Sequence, residues 1–401
     1  MRIILGVGGG IAAYKSCELA SSLVKAGHEV FVVMTESAAQ FIGPLTFRAL
    51  TGNPVGIHAT DEPMGPLSHV KMAHWADVMI VAPLTQNLLA RLSLGLSSDL
   101  LTLIFQGFSG PVLVAPAMES EMWLSPQTQA RLQDLMQDRA ITVVGPNMGR
   151  LASGLIGPGR MAEPEEMLEA LWALFRPKTL QGRSILITTG PTWEHFDPVR
   201  ILTNPSTGTV GIVLARELSA RGAEVLVIHG PRVQKRAINH VHYEEIVSAR
   251  DMLKAVENHI GHIDTVIGAA AVSDFRPAHP HLQKQKKSQL NLTWIMETNP
   301  DIMAELGKKY HDTIILIGFA AETDDVVQSA RDKLRRKRLD AIIANQVGAS
   351  RGFGQGEYQA AIIRPEDDNA ALHHMTKEQL ASEVADLLSI LRPKKGTTTN
   401  V

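Results

Sequence analysis

Along this chain short aliphatic runs end at glycine, proline or small polar clusters and give way to segments with helical spacing. Arg2 to Val7 reads as a strand, Gly8-Gly9-Gly10 as a turn, and Ile11 to Gly27 as a helix with its closing glycine. A second strand, Glu29 to Met34, ends at Thr35; further strands are predicted at Asp77 to Ala82, Pro111 to Ala115 and Ile141 to Gly145, and a helix from Met167 to Phe175. The second half repeats this grammar. Ile185 to Thr189 breaks at Gly190-Pro191, a polar loop follows, and a second glycine turn, Asn204 to Gly211, opens the helical pattern Ile212 to Arg221. Strands then recur at Asp264 to Ala269, Thr313 to Gly318, Asp340 to Ala344 and Gln359 to Ile363, before a helix at Lys377 to Leu391. Nearly continuous apolar strands separated by helices predict an α/β protein of two doubly wound, mostly parallel, Rossmann-like sheets.

The breakers in Pro177 to Arg183 place a connection there, giving domains at 1–176 and 184–392, a linker at 177–183 and a polar tail, 393–401, that reads as disordered. With 401 residues and 45% hydrophobic content, each half can bury its own core. A net charge of −2 gives no bulk attraction to nucleic acid or anionic membrane. No apolar run approaches the ~20 residues of a membrane span. The single cysteine, Cys17, allows no internal disulfide and lies in a helical pattern, which fits a buried thiol in a reducing cytoplasm.

In doubly wound sheets ligands bind beyond the strand carboxyl ends, so the turn at 8–10, Thr35, the loop 83–87 and Pro116-Ala117-Met118 should share one edge of the first domain. In the second, three loops carry chemistry. Val272-Ser273-Asp274 leads to Lys284-Gln285-Lys286-Lys287, which is either a solvated basic loop or counter-charge for a triphosphate. Asn299-Pro300-Asp301-Ile302 has the residues of a helix start and needs no ligand. Gly318-Phe319-Ala320-Ala321-Glu322-Thr323 precedes a helix bearing Arg331, Lys333, Arg335, Arg336, Lys337 and Arg338. No Gly-x4-Gly-Lys-Ser/Thr pattern occurs, so a nucleotide would be held some other way.

The first half resembles the flavin-dependent cysteine decarboxylases. The resemblance rests on Gly-Gly-Ile-Ala-Ala-Tyr-Lys at 9–15, Ser68-His69-Val70, Pro116-Ala117-Met118 with Met122-Trp123, and Gly157-Pro158-Gly159-Arg160-Met161. It implies FMN held by Gly8, Gly9, Gly10, Thr35, Ala82 and Thr85, with His69 as the active-site histidine. Three positions depart from the family. Glu119 stands where an asparagine holds the substrate carboxylate, and an ionised Glu119 would repel one. Ser153 stands where a cysteine donates a proton, and a hydroxyl is a far weaker acid than a thiol. Gly8 replaces a hydroxyl residue of the first turn.

The second half resembles phosphopantothenate–cysteine ligases, through Gly190-Pro191-Thr192, Asp197-Pro198-Val199-Arg200, Asn204 and Gly208, Ala269 to Asp274, the lysine loop at 284–287, Asn299 to Ile302, and Gly318 to Thr323. That implies CTP bound by Asp274, Lys284, Pro300, Asp301, Ile302, Met303, Phe319, Lys333 and Lys337, with Mg²⁺ at Asp274. Asn204 and Lys284 would be catalytic. Thr209-Val210 replaces a usual Lys-Met pair. The combined resemblance is to enzymes of coenzyme A biosynthesis that join 4′-phosphopantothenate to cysteine and then decarboxylate the product, working as homo-oligomers. Two alternatives stand beside it: a ligase whose first domain is a degenerate scaffold, and a non-catalytic flavin-binding or regulatory module.

Overall fold

The computed structural model describes residues 1–286, 293–347, 358–367 and 370–394. The chain divides into two compact units, Met1–Phe175 and Arg176–Val401.

In the first unit six parallel strands form one sheet: Arg2–Val7, Glu29–Met34, Val55–Gly56, Val78–Leu84, Val112–Pro116 and Ile141–Val143, which lie side by side in the order 3-2-1-4-5-6. The alternation of side chains across a strand explains why these runs look uniformly apolar. Ile3, Leu5 and Val7 enter the core on one face of the sheet and Ile4 the core on the other, and all four are fully buried.

The second unit has an eight-stranded sheet made of Ser184–Pro191, Glu224–His229, Val241–Glu245, Thr265–Ala271, Ile315–Glu322, Ala341–Gln346, Tyr358–Ile363 and His373–Met375. Counted in chain order its strands run 3-2-1-4-5-6-7-8, the same winding extended at one edge by Tyr358–Ile363, antiparallel to its neighbour, and by His373–Met375, antiparallel in turn to that strand. Here too Ile185 and Ile187 face one core and Leu186 the other.

The predicted α/β winding is therefore the one observed, but four boundaries shift for physical reasons. Strands at the future sites run further than their aliphatic content suggests: Thr265–Ala271 takes in the alanines after Gly268, and Ile315–Glu322 takes in Phe319 to Glu322. Small residues pair in a sheet without announcing it. The helix expected from Met167 begins at Pro164, because Glu163 and Glu166 form a reciprocal capping box ahead of it. The helix after Asn299-Pro300 starts at Ile302, with Asp301 as its cap, its carboxylate accepting from the Ala304 N–H at 3.1 Å. Cys17 is half-buried rather than enclosed, and burial pushes its thiol pKa up.

Leu180 and Arg183 are packed within the second unit. Arg183 donates through Nε to Asp264 Oδ1 at 2.8 Å, through Nη2 to Thr265 Oγ1 at 2.8 Å, and through Nη1 to the Leu388 and Leu391 carbonyls at 3.0 Å. The other Asp264 oxygen accepts from the Ser184 N–H at 2.7 Å. One buried guanidinium thus fastens the C-terminal helix, Lys377–Ile390, to the sheet. Arg183→Met should cost about 3–5 kcal/mol, because it strands the Asp264 charge; urea unfolding of the full chain measures it, and a loss under about 1 kcal/mol would contradict the assignment.

Candidate active sites

In the second unit, a cavity of about 560 Å³ opens at the carboxyl ends of the strands. Its first wall is the glycine turn. Gly208 lies in the left-handed region at φ 72° and caps the helix Thr209–Ala220, while Thr189 Oγ1 at the end of the preceding strand donates to the Gly208 carbonyl at 3.0 Å. Asn204, Ser206, Thr207, Thr209 and Val210 line this side. Asn204 is half-buried, and its Nδ2 donates to the Val272 carbonyl at 3.0 Å and the Ala271 carbonyl at 3.4 Å. Both of its N–H groups are spent on the neighbouring strand end, which fixes the amide and turns its oxygen into the fixed acceptor.

The opposite wall gathers Asp274, Pro300, Asp301, Ile302, Met303, Phe319, Lys333 and Lys337. The lysines are charge-balanced in place: Lys337 Nζ lies 2.8 Å from Asp301 Oδ2, and Lys333 pairs with Glu322. Asn299 holds the loop that carries Asp274, its Nδ2 donating to the Ser273 carbonyl at 2.9 Å. Asp274 is exposed at the cavity wall, and among the described residues no three acidic, histidine or cysteine side chains gather as a metal cluster.

Lys284 is exposed and does not line this cavity. Its neighbour Gln285 is pinned: the Gln285 N–H donates to Asp197 Oδ2 at 3.3 Å and its carbonyl accepts from Arg200 Nη1 at 3.3 Å. Lys287, the last lysine of that loop, lies outside the described residues. Two lining residues were invisible in the sequence. Asn345 sits inside the aliphatic strand Ala341–Gln346, 6% exposed, with its Oδ1 buried and making no hydrogen bond among the described residues. Lys377 opens the C-terminal helix and is brought to the cavity by tertiary packing alone.

The first unit has its own cavity, about 620 Å³, at the same edge of its sheet. Gly9, Gly10 and Thr85 line it, together with Lys15, Gln86, Asn87, Glu119 and Arg150. Gly8, Thr35 and Ala82 do not. Gly8 donates its N–H to the Pro83 carbonyl at 3.2 Å. Thr35 is spent as a helix cap, its Oγ1 accepting from the Ala38 N–H at 3.2 Å, and the Ala82 carbonyl accepts from Ser16 Oγ at 2.6 Å. His69 is half-buried in the helix Ser68–Trp75 and lies apart from this cavity. Lys15 is 5% exposed, donating to the Met161 carbonyl at 3.0 Å and pairing with Glu163 at 2.9 Å. Burial raises the Glu163 pKa, but Lys15 and Arg160 outweigh it and hold the carboxyl below its usual range.

Glu119 and Ser153 meet each other. Ser153 Oγ donates to Glu119 Oε2 at 2.8 Å, linking the start of the helix Ser120–Leu124 to the tip of the hairpin made by Asn147–Arg150 and Ile156–Arg160. Leu151 and Ala152 of that tip line the cavity beside Glu119. Two of the three departures noted in the sequence are thus a single hydrogen-bonded pair at the cavity wall.

Comparison with known proteins accounts for nearly the whole chain. Residues 1–176 match the family described as Flavoprotein, and 180–391 that described as DNA/pantothenate metabolism flavoprotein C-terminal domain. The coenzyme A biosynthesis bifunctional protein CoaBC of Vibrio cholerae serotype O1 is 41% identical over 391 residues, covering 96% of this chain and 97% of its own. The protein of the same name from Bacillus subtilis strain 168 is 39% identical over 401 residues, covering 98% of each chain. Among solved structures, the C-terminal domain of a coenzyme A biosynthesis bifunctional protein CoaBC is 35% identical at a TM-score of 0.45, covering 53% of this chain and 97% of that one. With two relatives near 40% identity over almost the full length of both partners, the chain belongs to the family of bifunctional coenzyme A biosynthesis proteins.

Proposed function

We propose that the second unit ligates 4′-phosphopantothenate to cysteine at the expense of CTP, and that the first unit binds FMN and decarboxylates the product. What carries the ligase reading is the convergence of Asn204, Asp274, Asp301, Phe319, Lys333 and Lys337 on one cavity from separate strand ends.

The carboxylate of 4′-phosphopantothenate attacks the α-phosphate of CTP; an acyl–phosphate bond forms, the α–β bridge breaks, and pyrophosphate leaves. Lys333 and Lys337 exchange their carboxylate partners for phosphate oxygens, and Lys284 adds its charge from the neighbouring loop, so that positive charge faces the oxygens where negative charge builds. Asp274 is the carboxylate that would hold Mg²⁺ brought with the nucleotide; the ion would neutralise phosphate charge. The amine of cysteine then attacks the acyl carbon and CMP departs. Asn204 directs its oxygen at that amine, having no N–H to spare, and holds the nucleophile in line. Phe319, Ile302 and Met303 form an apolar shelf, and the Asn345 amide is the polar group suited to reading a pyrimidine edge there.

The first unit fits FMN at its glycine turn. A Cβ on Gly9 would run into Ser37, so only glycine lets the turn pack this closely against the helix Glu36–Phe41, while Gly9 and Gly10 still border the cavity. Thr85 and the N-terminus of the helix Gln86–Ser93 add donors suited to a phosphate. Bound FMN would supply two-electron redox chemistry to the cysteine-derived thiol. A second reading is favoured by the Glu119–Ser153 pair, which sets an acceptor carboxylate where a substrate carboxylate would lie: a ligase whose first unit holds flavin and turns over poorly.

Three outcomes are expected. Lys284→Gln and Asn204→Asp should each lower ligation by on the order of 10²-fold in a pyrophosphate-release assay; turnover near wild type in either variant removes that residue from the mechanism. Asn345→Leu should raise the KM for CTP roughly tenfold or more with kcat little changed, as expected for a lost base contact, and an unchanged KM removes Asn345 from base recognition. Purified protein should carry visible flavin absorbance and release CO₂ slowly from 4′-phosphopantothenoylcysteine, and Glu119→Asn with Ser153→Cys should accelerate release by on the order of 10²-fold. If the paired substitution changes nothing, Glu119 and Ser153 do not limit the decarboxylase.

A further inference from the structure

The segment 194–202 and the segment 281–286 share no secondary structure with the main sheet, yet they are locked together around one buried carboxylate. Asp197 is fully buried. Its Oδ1 accepts from the Val199 N–H at 2.8 Å and the Arg200 N–H at 2.9 Å, folding its own loop. Its Oδ2 accepts from Arg200 Nη1 at 2.6 Å and from the Gln285 N–H at 3.3 Å, and the same Arg200 nitrogen donates to the Gln285 carbonyl at 3.3 Å. Further contacts run alongside: the His281 N–H donates to the Phe196 carbonyl at 2.8 Å, and the Phe196 and Trp294 rings meet edge-on at 4.2 Å.

We infer that Asp197, acting with Arg200, is a positioning residue for the lysine loop: it fixes the backbone of Gln285 and thereby the reach of Lys284 toward the cavity. The inference rests on the ligase reading of Lys284 and adds the element that aims it. Lys284 itself is exposed and has no hydrogen-bonding anchor among the described residues, so without the Gln285 tether its four-carbon stem and the loop beneath it would sample many conformations. Gripping the neighbouring residue on both sides, N–H by carboxylate and carbonyl by guanidinium, restricts the backbone while leaving the ammonium free to follow the phosphates. Asp197 does no proton transfer in this scheme. Burial alone would raise its pKa, but three backbone N–H donors and the Arg200 charge prevail and hold it at about 2, so it is ionised throughout the range in which a ligase is assayed.

Asp197→Asn keeps the shape and loses the charge and one acceptor. In the full-length protein it should lower kcat for ligation by on the order of 10²-fold, leave the KM for 4′-phosphopantothenate within about threefold of wild type, and lower the pH–rate plateau without moving its limbs. Combined with Lys284→Gln it should add little to the loss of either change alone, since both act through one group. Acetylation of Lys284 by an N-hydroxysuccinimide ester, followed by mass spectrometry, should be slowed by CTP in wild type and not in Asp197→Asn. Native-state hydrogen exchange on the unmodified protein gives a reading that needs no variant: the Gln285 amide should exchange as slowly as those of Val199 and Arg200. Wild-type kcat in Asp197→Asn, losses that multiply with Lys284→Gln, or an unprotected Gln285 amide each overturn the inference. If Lys284→Gln proves fully active while the Gln285 amide is protected and Asp197→Asn alters Lys284 acetylation, the clamp stands and it is the catalytic role of Lys284 that fails.

Discussion

A parallel strand buried on both faces has nowhere to carry a polar side chain except its end, and the rest of the molecule follows from that. In each unit the central strands send alternate residues into two separate cores, Ile3, Leu5 and Val7 against Ile4, and Ile185 and Ile187 against Leu186. The groups that could act on a ligand are thereby gathered at the carboxyl edge, on strand ends and on the loops and helices beside them. The glycine turns, the alanine-rich ends of Thr265–Ala271 and Ile315–Glu322, and both cavities all lie there. Buried charges at the opposite end, such as Arg183 with Asp264, serve cohesion instead, closing the sheet against its C-terminal helix.

Much of this is legible in one dimension. Strand positions and the winding follow from continuous apolar runs, and most of the ligase-side residues follow from short motifs sitting at strand ends. What stays illegible is anything made by long-range pairing. Glu119 and Ser153 look like two independent losses until the hairpin 147–160 folds its tip back on the start of the helix Ser120–Leu124 and makes them one hydrogen bond. Asn345 is hidden because a lone amide in an aliphatic strand has no signature; only the cavity beside it gives it a purpose. Thr35 follows its strand as expected but serves as a helix cap, while Ala82 lies inside the strand Val78–Leu84 rather than at its end, its carbonyl held by the Ser16 hydroxyl; spacing reveals neither.

Charge is also arranged in advance at the ligase cavity. Lys333 and Lys337 are not idle cations; each is neutralised by Glu322 or Asp301. An anionic ligand at this cavity would therefore have to displace carboxylates to reach the lysines, and the paired charges keep the lysines from repelling one another. Affinity gained this way is smaller than lysine count suggests, since exposed pairs are weak to begin with, but discrimination gains, because a ligand with too little charge cannot compete.

The same winding gives the two units different means of holding an anion. In the second, the helix Thr209–Ala220 starts directly after left-handed Gly208 with no side-chain cap, and Thr209 and Val210 line the cavity, so its first amides and the Thr207 and Thr209 hydroxyls face the ligand space. In the first, the amides that open the helix Ala13–Lys25 are consumed by tight turns, Ala13 to the Gly10 carbonyl and Lys15 to the Ala12 carbonyl, both at 3.0 Å. A phosphate there must draw on the glycine loop before the helix and on the helix that Thr85 caps, two sources set by different strands. The ligase half can thus lose the lysine usual beside its turn and still present a helix terminus to phosphate, whereas the flavin half depends on the relative placement of two strand ends, and its turn has already given up a hydroxyl at Gly8. Of the two sites, the flavin cavity is the one whose grip on its ligand would suffer first from small shifts in the sheet.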